Sequence, residues 1–382
     1  MPTLLLYGDS ERSPAIRHEV PAAIGDPFLF ADISGRRALL ISWLERDRVL
    51  GALPDAELLD FFDLGLRELM EAGRTRLEAE HEVVVRAVRR LGISEAVIPW
   101  DFPVAIADRL RADGITIALD DEFVAARRRV KAGAELAGVR AAQAAGDAAF
   151  ARAAELLATA EIDRDGLLRR PDGELLLAEW VRAQLSRTCA AHDATCPAGM
   201  IVASVHNGQG HDPGNGPLPA GLPIIVDVFP RHEATGMWGD STRTFVVGTP
   251  APQDAEMIAD QEGLVRAALE QARQAVRPGI TGRELHAASC DLFEAAGWAT
   301  QRTGGDDGFQ FSLGHGVGLD VHEPPGLGLS GREPFVAGDV VAVEPGLWDK
   351  RIGGVRLEDL LLVTEGGCET LTAFPYDLTP AG

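Results

Sequence analysis

Four acidic residues in this chain fall at the ends of two matched pairs of apolar runs. Residues 220–227 read AGLPIIVD and residues 337–344 read AGDVVAVE, and each places an acid six positions after a Gly. These acids, Asp227 and Glu344, are each followed by a loop and a second acid beside another apolar run: Asp240 in GDSTRTFVVG and Glu358 in GVRLEDLLLV. The spacings nearly match, with 13 positions from Asp227 to Asp240 and 14 from Glu344 to Glu358. An unpaired carboxylate buried on a strand costs several kcal/mol. Two divalent cations would balance four carboxylates in charge, with two of the acids able to bridge them. Ions about 3.5–4 Å apart can hold a bridging water, lower its pKa and polarise a carbonyl.

Strand side chains alternate faces, so Asp227 shares a face with Ile225 and Phe229, and Glu344 with Ala342 and Val340. Pro345-Gly346 ends the second strand and leaves Glu344 at its tip. Arg356 and Glu358 also share a face, and a salt bridge between them is the competing account of Glu358. The segment GHGVGLDVHE adds His315, flanked by glycines that allow close approach, and His322. Either histidine alone could be structural; beside four strand-borne acids a metal role is favoured. Oxygen-rich ligation with one imidazole suits Mn²⁺, Co²⁺, Fe²⁺ or Zn²⁺, with no choice among them from sequence.

Two passes through one order of elements would position these residues. In the first, a helix (GELLLAEWVRAQLSR) leads to a segment ending in His211, then the Asp227 and Asp240 strands. In the second, a helix with Thr281 as N-cap leads through GHGVGLDVHE to the Glu344 and Glu358 strands. An internal duplication with chemistry at its pseudo-twofold centre is the simplest account; separate origin of the two pairs is the alternative. Ahead of this lies an Ala-rich helical stretch from about residue 129, interrupted by three Gly, read as a connecting helix. Residues 1–128 read as an alternating α/β domain. Strands are expected over 37–44, 94–100 and 115–120, and helices over 55–73, 78–92 and 102–113, with parallel pairing.

The chain has 382 residues, enough for two domains, and a net charge of −22 that argues against nucleic acid and anionic membrane as partners. No apolar run approaches 18 residues, and the N-terminus lacks a basic region before an apolar core, so neither a membrane span nor a signal peptide is expected. Four cysteines without CxxC spacing fit a reducing cytoplasm. GLGLSG (326–331) matches a dinucleotide-binding pattern, but no strand precedes it and no helix follows, so that reading is rejected. HExxH and GxSxG are both absent.

The stretches VDVFP, GDSTRT, GHGVGLDVHE, VEPG and GVRLED, in this order across residues 130–375, resemble the pita-bread metallopeptidases: prolidase, aminopeptidase P, methionine aminopeptidase and creatinase. Residues 1–128 resemble the creatinase/prolidase N-terminal domain. The resemblance implies an α/β N-terminal domain (1–128) followed by an α+β pita-bread catalytic domain (129–382) with an internal pseudo-twofold repeat. It implies metal ligation by Asp227, Asp240, His315, Glu344 and Glu358, with Asp227 chelating one ion, Asp240 and Glu358 bridging, and His315 and Glu344 on the second ion. It further implies that His322 contacts the scissile carbonyl, that His211 contacts substrate, that Glu344 exchanges protons with the bridging water, and that Arg356 binds substrate. The expected activity is hydrolysis of the bond between an N-terminal residue and proline by a hydroxide bridging two ions (Mn, Co or Zn). The expected substrates are small peptides with proline second, and the expected assembly is a homodimer.

Three departures qualify the carry-over. The Asp227–Asp240 interval is two residues longer than usual. The customary Gly-Tyr before the second aspartate is Gly236-Met237, with Trp238 beside it. An arginine common just after the VHE-Pro segment is replaced by Pro325-Gly326, leaving Arg332 and Arg243 as candidate clamps for a substrate carboxylate. Two other readings stay open: a non-peptidase hydrolase or metal-using lyase on the same fold, and a non-catalytic binding protein. The complete ligand set weakens a creatinase-like reading and the binding-protein reading.

Overall fold

The computed structural model describes residues 2–197, 199–208 and 210–380. The chain divides into two units, Met1–Arg128 and Arg129–Gly382. The first is built on one six-stranded sheet. Its spatial order is Glu57–Leu59, Arg36–Leu40, Phe28–Ile33, Leu4–Gly8, Glu95–Ile98, Thr116–Leu119. Phe28–Ile33 runs antiparallel to both neighbours, and the remaining pairings are parallel. The sheet is therefore mixed, which corrects the expectation of parallel pairing throughout. The cause is a tight hairpin: Ser34 and Gly35 both take positive φ (56° and 93°), and Asp32 Oδ1 accepts from Gly35 N at 2.7 Å. Two successive positive φ values suit the twist of a two-residue hairpin.

Helix Arg76–Arg90 starts from a capping box between Thr75 and Glu78 and buries Val83, Val84 and Val88 against Leu5, Leu29 and Ala31. The opposite sheet face, Leu4, Leu6, Phe28 and Phe30, packs on Ile16 and Val49. Burial of both faces explains why these strands read as continuous apolar runs rather than alternating ones. The helix expected over 55–73 is shorter in fact: Glu57–Leu59 forms an edge strand, and only Leu66–Glu71 is helical.

The second unit runs twice through helix, helix, strand, strand, strand. The first pass comprises helices Gly133–Ala158 and Ala178–Ala190 and strands Ile201–Ala203, Pro223–Val228 and Ser241–Val246, hydrogen-bonded antiparallel in that order. The second comprises helices Pro252–Ala275 and Gly282–Ala295 and strands Gly314–Gly316, Val340–Val343 and Asp359–Thr364, paired the same way. Thr281 caps helix Gly282–Ala295 in a capping box with Glu284. The two sheets meet where Thr242 bridges Glu358.

One glycine of the long Ala-rich helix has a packing role: a Cβ on Gly138 would lie 2.1 Å from Thr235 Oγ1, whereas one on Gly146 would make an ordinary contact, 3.6 Å from Pro230 Cγ. The loop between Asp227 and Asp240 thus rests directly on the helix backbone. Among the described residues, no helix is long and apolar enough to cross a membrane.

Candidate metal centre

Each acid is delivered by the end or edge of a strand. Asp227 lies near the end of Pro223–Val228, Asp240 immediately before Ser241–Val246, Glu344 immediately after Val340–Val343, and Glu358 immediately before Asp359–Thr364. Asp227 pairs across the sheet with Thr242, and Thr242 in turn bridges Glu358, so one strand register brings both halves together. Asp227, Asp240 and Glu358 are 8%, 4% and 2% exposed. All four acids border one cavity of about 250 Å³, together with His211, His315, His322 and Arg356.

His315 Nε2 lies 3.5 Å from Asp240 Oδ2 and 3.8 Å from Glu344 Oε1. Its Nδ1 lies 3.1 Å from Gly316 O, a contact that fits an Nδ1–H donor and leaves the Nε2 lone pair aimed at the acids. Burial, with His322 adding repulsion, brings the His315 pKa down to about 4, so the ring is neutral at neutral pH. The His315 and His322 rings stand edge-to-face, 4.1 Å between centroids. Burial also lowers the His322 pKa.

The acids are held at raised pKa values. Burial, then the charge of Glu358 and its neighbours, pushes Asp240 well above the carboxylate range. Burial and the charge of Glu344 do the same to Glu358. Glu344 is pushed up to about 7 by burial, against the pull of Arg356. Asp227 rises for the same reason, although Arg356 Nη2 donates to its Oδ2 in a close ion pair. Burial thus outweighs the Arg356 guanidinium, and full ionisation of this cluster calls for further positive charge.

Those features fit divalent cations. Asp227 Oδ1 is buried without a hydrogen-bond partner, and ligand atoms of Asp240, His315 and Glu358 lie within 4.8 Å of one another. Carboxylate oxygens with one imidazole make a donor set for divalent metals.

Several supporting residues were not signalled by motif. Thr242 Oγ1 donates to Glu358 Oε2 at 2.7 Å and accepts from Arg356 Nε at 3.2 Å. Arg356 therefore reaches Asp227 and Thr242, while its other nitrogen lies 4.0 Å from Glu344 Oε2; the salt bridge weighed for Glu358 falls instead on Asp227. Gln143, on the long helix, accepts from Asp240 N at 3.3 Å and donates to Ser241 Oγ at 3.0 Å. Lys131 forms a buried ion pair with Glu323, next to His322, and also donates to Arg129 O at 2.9 Å. Only the Asp-Ser-Thr polar run beside a strand hinted at Thr242.

The sequence departures resolve differently. Arg243 is 1% exposed and fully engaged, donating to Phe374 O, Glu358 O and Asp359 Oδ1, so it is not available as a carboxylate clamp. Arg332 is exposed and does not line the cavity. In place of the missing tyrosine, Met237 is buried, and Trp238 ties the enlarged loop to the histidine segment: Trp238 N donates to Gly318 O at 2.8 Å and Nε1 to Leu319 O at 3.2 Å. His211 is exposed at the cavity edge. Beyond the acids, a second cavity of about 680 Å³ shares His211, His315, His322, Glu344 and Arg356 and extends over Phe311, Leu347 and Trp348.

Comparisons with known proteins bear on the family and the fold. The probable dipeptidase PepE of Mycobacterium tuberculosis is 30% identical over 277 residues, 72% of this chain; the match spans 65% of that relative's length. The Xaa-Pro dipeptidase of Pyrococcus furiosus is 37% identical over 139 residues, 36% of this chain and 37% of the relative. Among solved structures, the prolidase from Pyrococcus horikoshii superposes with a TM-score of 0.78 at 22% identity, covering 99% of this chain and 95% of the other. The X-Pro aminopeptidase from Thermotoga maritima gives 0.76 at 20% identity, covering 99% and 97%. These likenesses show the fold, an α/β N-terminal domain followed by a pita-bread domain. The family model described as metallopeptidase family M24 matches residues 137–365, a span that holds every acid and histidine of the cavity, and it is to this family that the chain belongs.

Proposed function

We propose that the chain is a dinuclear metal-dependent peptidase that hydrolyses the bond between an N-terminal residue and proline. The observation that carries this reading is the convergence of four carboxylates, three of them buried, and a neutral His315 on one cavity that opens into a substrate-sized chamber. Asp227, Asp240, His315, Glu344 and Glu358 would hold two divalent ions, with Mn, Co and Zn as the candidates. When bound, such ions supply Lewis acidity to a peptide carbonyl and acidify water.

The chain's own residues then have distinct tasks. Glu344, whose Oε1 lies 3.8 Å from His315 Nε2 at the tip of its strand, holds the proton taken from water and returns it to the leaving proline nitrogen. His322 donates a hydrogen bond to the carbonyl oxygen as negative charge develops there. His211, at the cavity edge, contacts the substrate, and Arg356, which borders both cavities, orients it. The relatives, a probable dipeptidase and an Xaa-Pro dipeptidase, support small peptides with proline in second position. Residues 1–128 and 129–382 form the two domains of this reading.

The test is a side-by-side assay of an Xaa-Pro dipeptide and an Xaa-Pro-Xaa tripeptide after chelator stripping and reloading with Mn²⁺, Co²⁺ or Zn²⁺. Cleavage of the dipeptide alone assigns a dipeptidase. Cleavage of the tripeptide as well assigns an aminopeptidase. Cleavage of neither, with metal bound, overturns the peptidase reading.

A further inference from the structure

Cys189 and Cys196 lie outside the cluster of acids, and nothing in the proposed chemistry uses them. Their Sγ atoms are 3.0 Å apart, with Cys196 donating to Cys189 and Cys189 directed at Ala145 O, 3.8 Å away. A disulfide bond is about 2.05 Å long, so about 1 Å of approach separates this thiol pair from a crosslink. Both cysteines are free in the structure, and the other two are Cys290 and Cys368.

The pair occupies a consequential place. Cys189 ends helix Ala178–Ala190 and is wholly buried among Val181, Leu185 and Val202. Cys196 follows strand Ala194–Thr195, which pairs with Arg231–His232 in the loop between Asp227 and Asp240. Just beyond Cys196, Gly199 and Ile201 line the cavity that holds the acids. A bond between the two sulfurs would fasten that wall to a core helix.

We propose that Cys189 and Cys196 form an oxidisable thiol pair that closes to an intrachain disulfide when the protein meets a hydroperoxide. Cys196 is partly buried and Cys189 wholly so, and Cys196 meets the oxidant first. The pair shares the Cys196 proton; as that proton passes to Cys189, the Cys196 sulfur attacks the peroxide, the O–O bond breaks, the leaving oxygen takes a solvent proton and departs as alcohol or water, and Cys196 becomes a sulfenic acid. Cys189 then attacks that sulfur, the S–O bond breaks and water leaves with the remaining proton. Two thiols are oxidised by two electrons and one hydroperoxide is reduced. In the reduced pair the hydrogen bond from Cys196 favours loss of one proton, from the Cys189 sulfur, before the oxidant arrives.

The test uses the full chain, native and metal-loaded, treated with stoichiometric hydrogen peroxide, then alkylated and unfolded. The expected result is a fall from four titratable thiols to two, a 189–196 crosslinked peptide lighter by two hydrogens, and a higher Tm that a dithiol reverses. Cys196→Ser should keep its three remaining thiols under the same treatment. Four surviving thiols in the wild type, a sulfinic acid on Cys196 without a crosslink, or a crosslink through Cys290 or Cys368 would each overturn the proposal. Its readouts are independent of peptidase activity.

Discussion

Thr242 and Glu358 are joined twice, once through the backbone and once through side chains. Glu358 N donates to Thr242 O at 3.1 Å, and Thr242 Oγ1 donates to Glu358 Oε2 at 2.7 Å. This double link is where the two halves of the second unit meet, and the same hydroxyl accepts from Arg356 Nε. Thr242→Val keeps the shape and leaves two buried polar partners unsatisfied. It should cost about 1–3 kcal/mol in urea unfolding, and metal affinity should fall by about 10–100-fold. Thr242→Ser should recover most of both. Unchanged affinity in the valine variant would remove Thr242 from the site's support.

Asp240→Ala and Glu358→Ala should each abolish metal binding and peptide hydrolysis together, because both acids border the cavity within reach of His315 or the bridging Thr242. Metal content after gel filtration and turnover of an Xaa-Pro substrate are the measurements. Full activity in either variant would sink the ligand assignment.

The pH dependence of the metal-free protein carries a definite sign. Glu344 rises from an ordinary 4.5 to about 7 in the folded chain. Between these values the native state holds a proton that the unfolded chain has lost. The contribution is fully present below about 4.5 and disappears as pH rises through about 7. Chelator-stripped wild type should therefore lose Tm relative to Glu344→Gln across that window. Parallel Tm curves would contradict the raised pKa.

Lys131 and Glu323 are almost fully enclosed, with side chains 0% and 2% exposed. Lys131→Met takes the cation away from a buried carboxylate beside His322 and should destabilise the protein by about 3–5 kcal/mol. Adding Glu323→Gln should restore much of the loss. A single variant as stable as wild type would show that Glu323 finds other compensation.

Legibility in the sequence followed the range of the interactions. The acids and histidines stand in short runs whose residue types and spacing carry their own message, so local pattern alone singles them out. The strands Leu4–Gly8 and Phe28–Ile33 are not marked by local pattern, because a strand buried on both faces shows no alternation. The edge strand Glu57–Leu59 was absorbed into an expected helix, since three residues carry too little pattern. Gln143 and Lys131 act on partners 97 and 192 positions away, and no local pattern announces such pairs. Arg243 looked available as a clamp only because its partners, Phe374 and Asp359, are brought to it by tertiary folding.

The contact of the long helix with the Asp227–Asp240 loop links two lengths that look independent in sequence. Gly239 would place a Cβ 2.8 Å from Gln143 N, and Gly138 has no room for one beside Thr235. The loop can change length only if a small residue reappears at the matching phase of the helix, a full turn being about 3.6 residues. An insertion in this loop and a glycine shift in the helix are therefore a coupled pair of changes. A graft that transplants one without the other would move Asp240 off its seat while leaving every candidate ligand in the sequence intact.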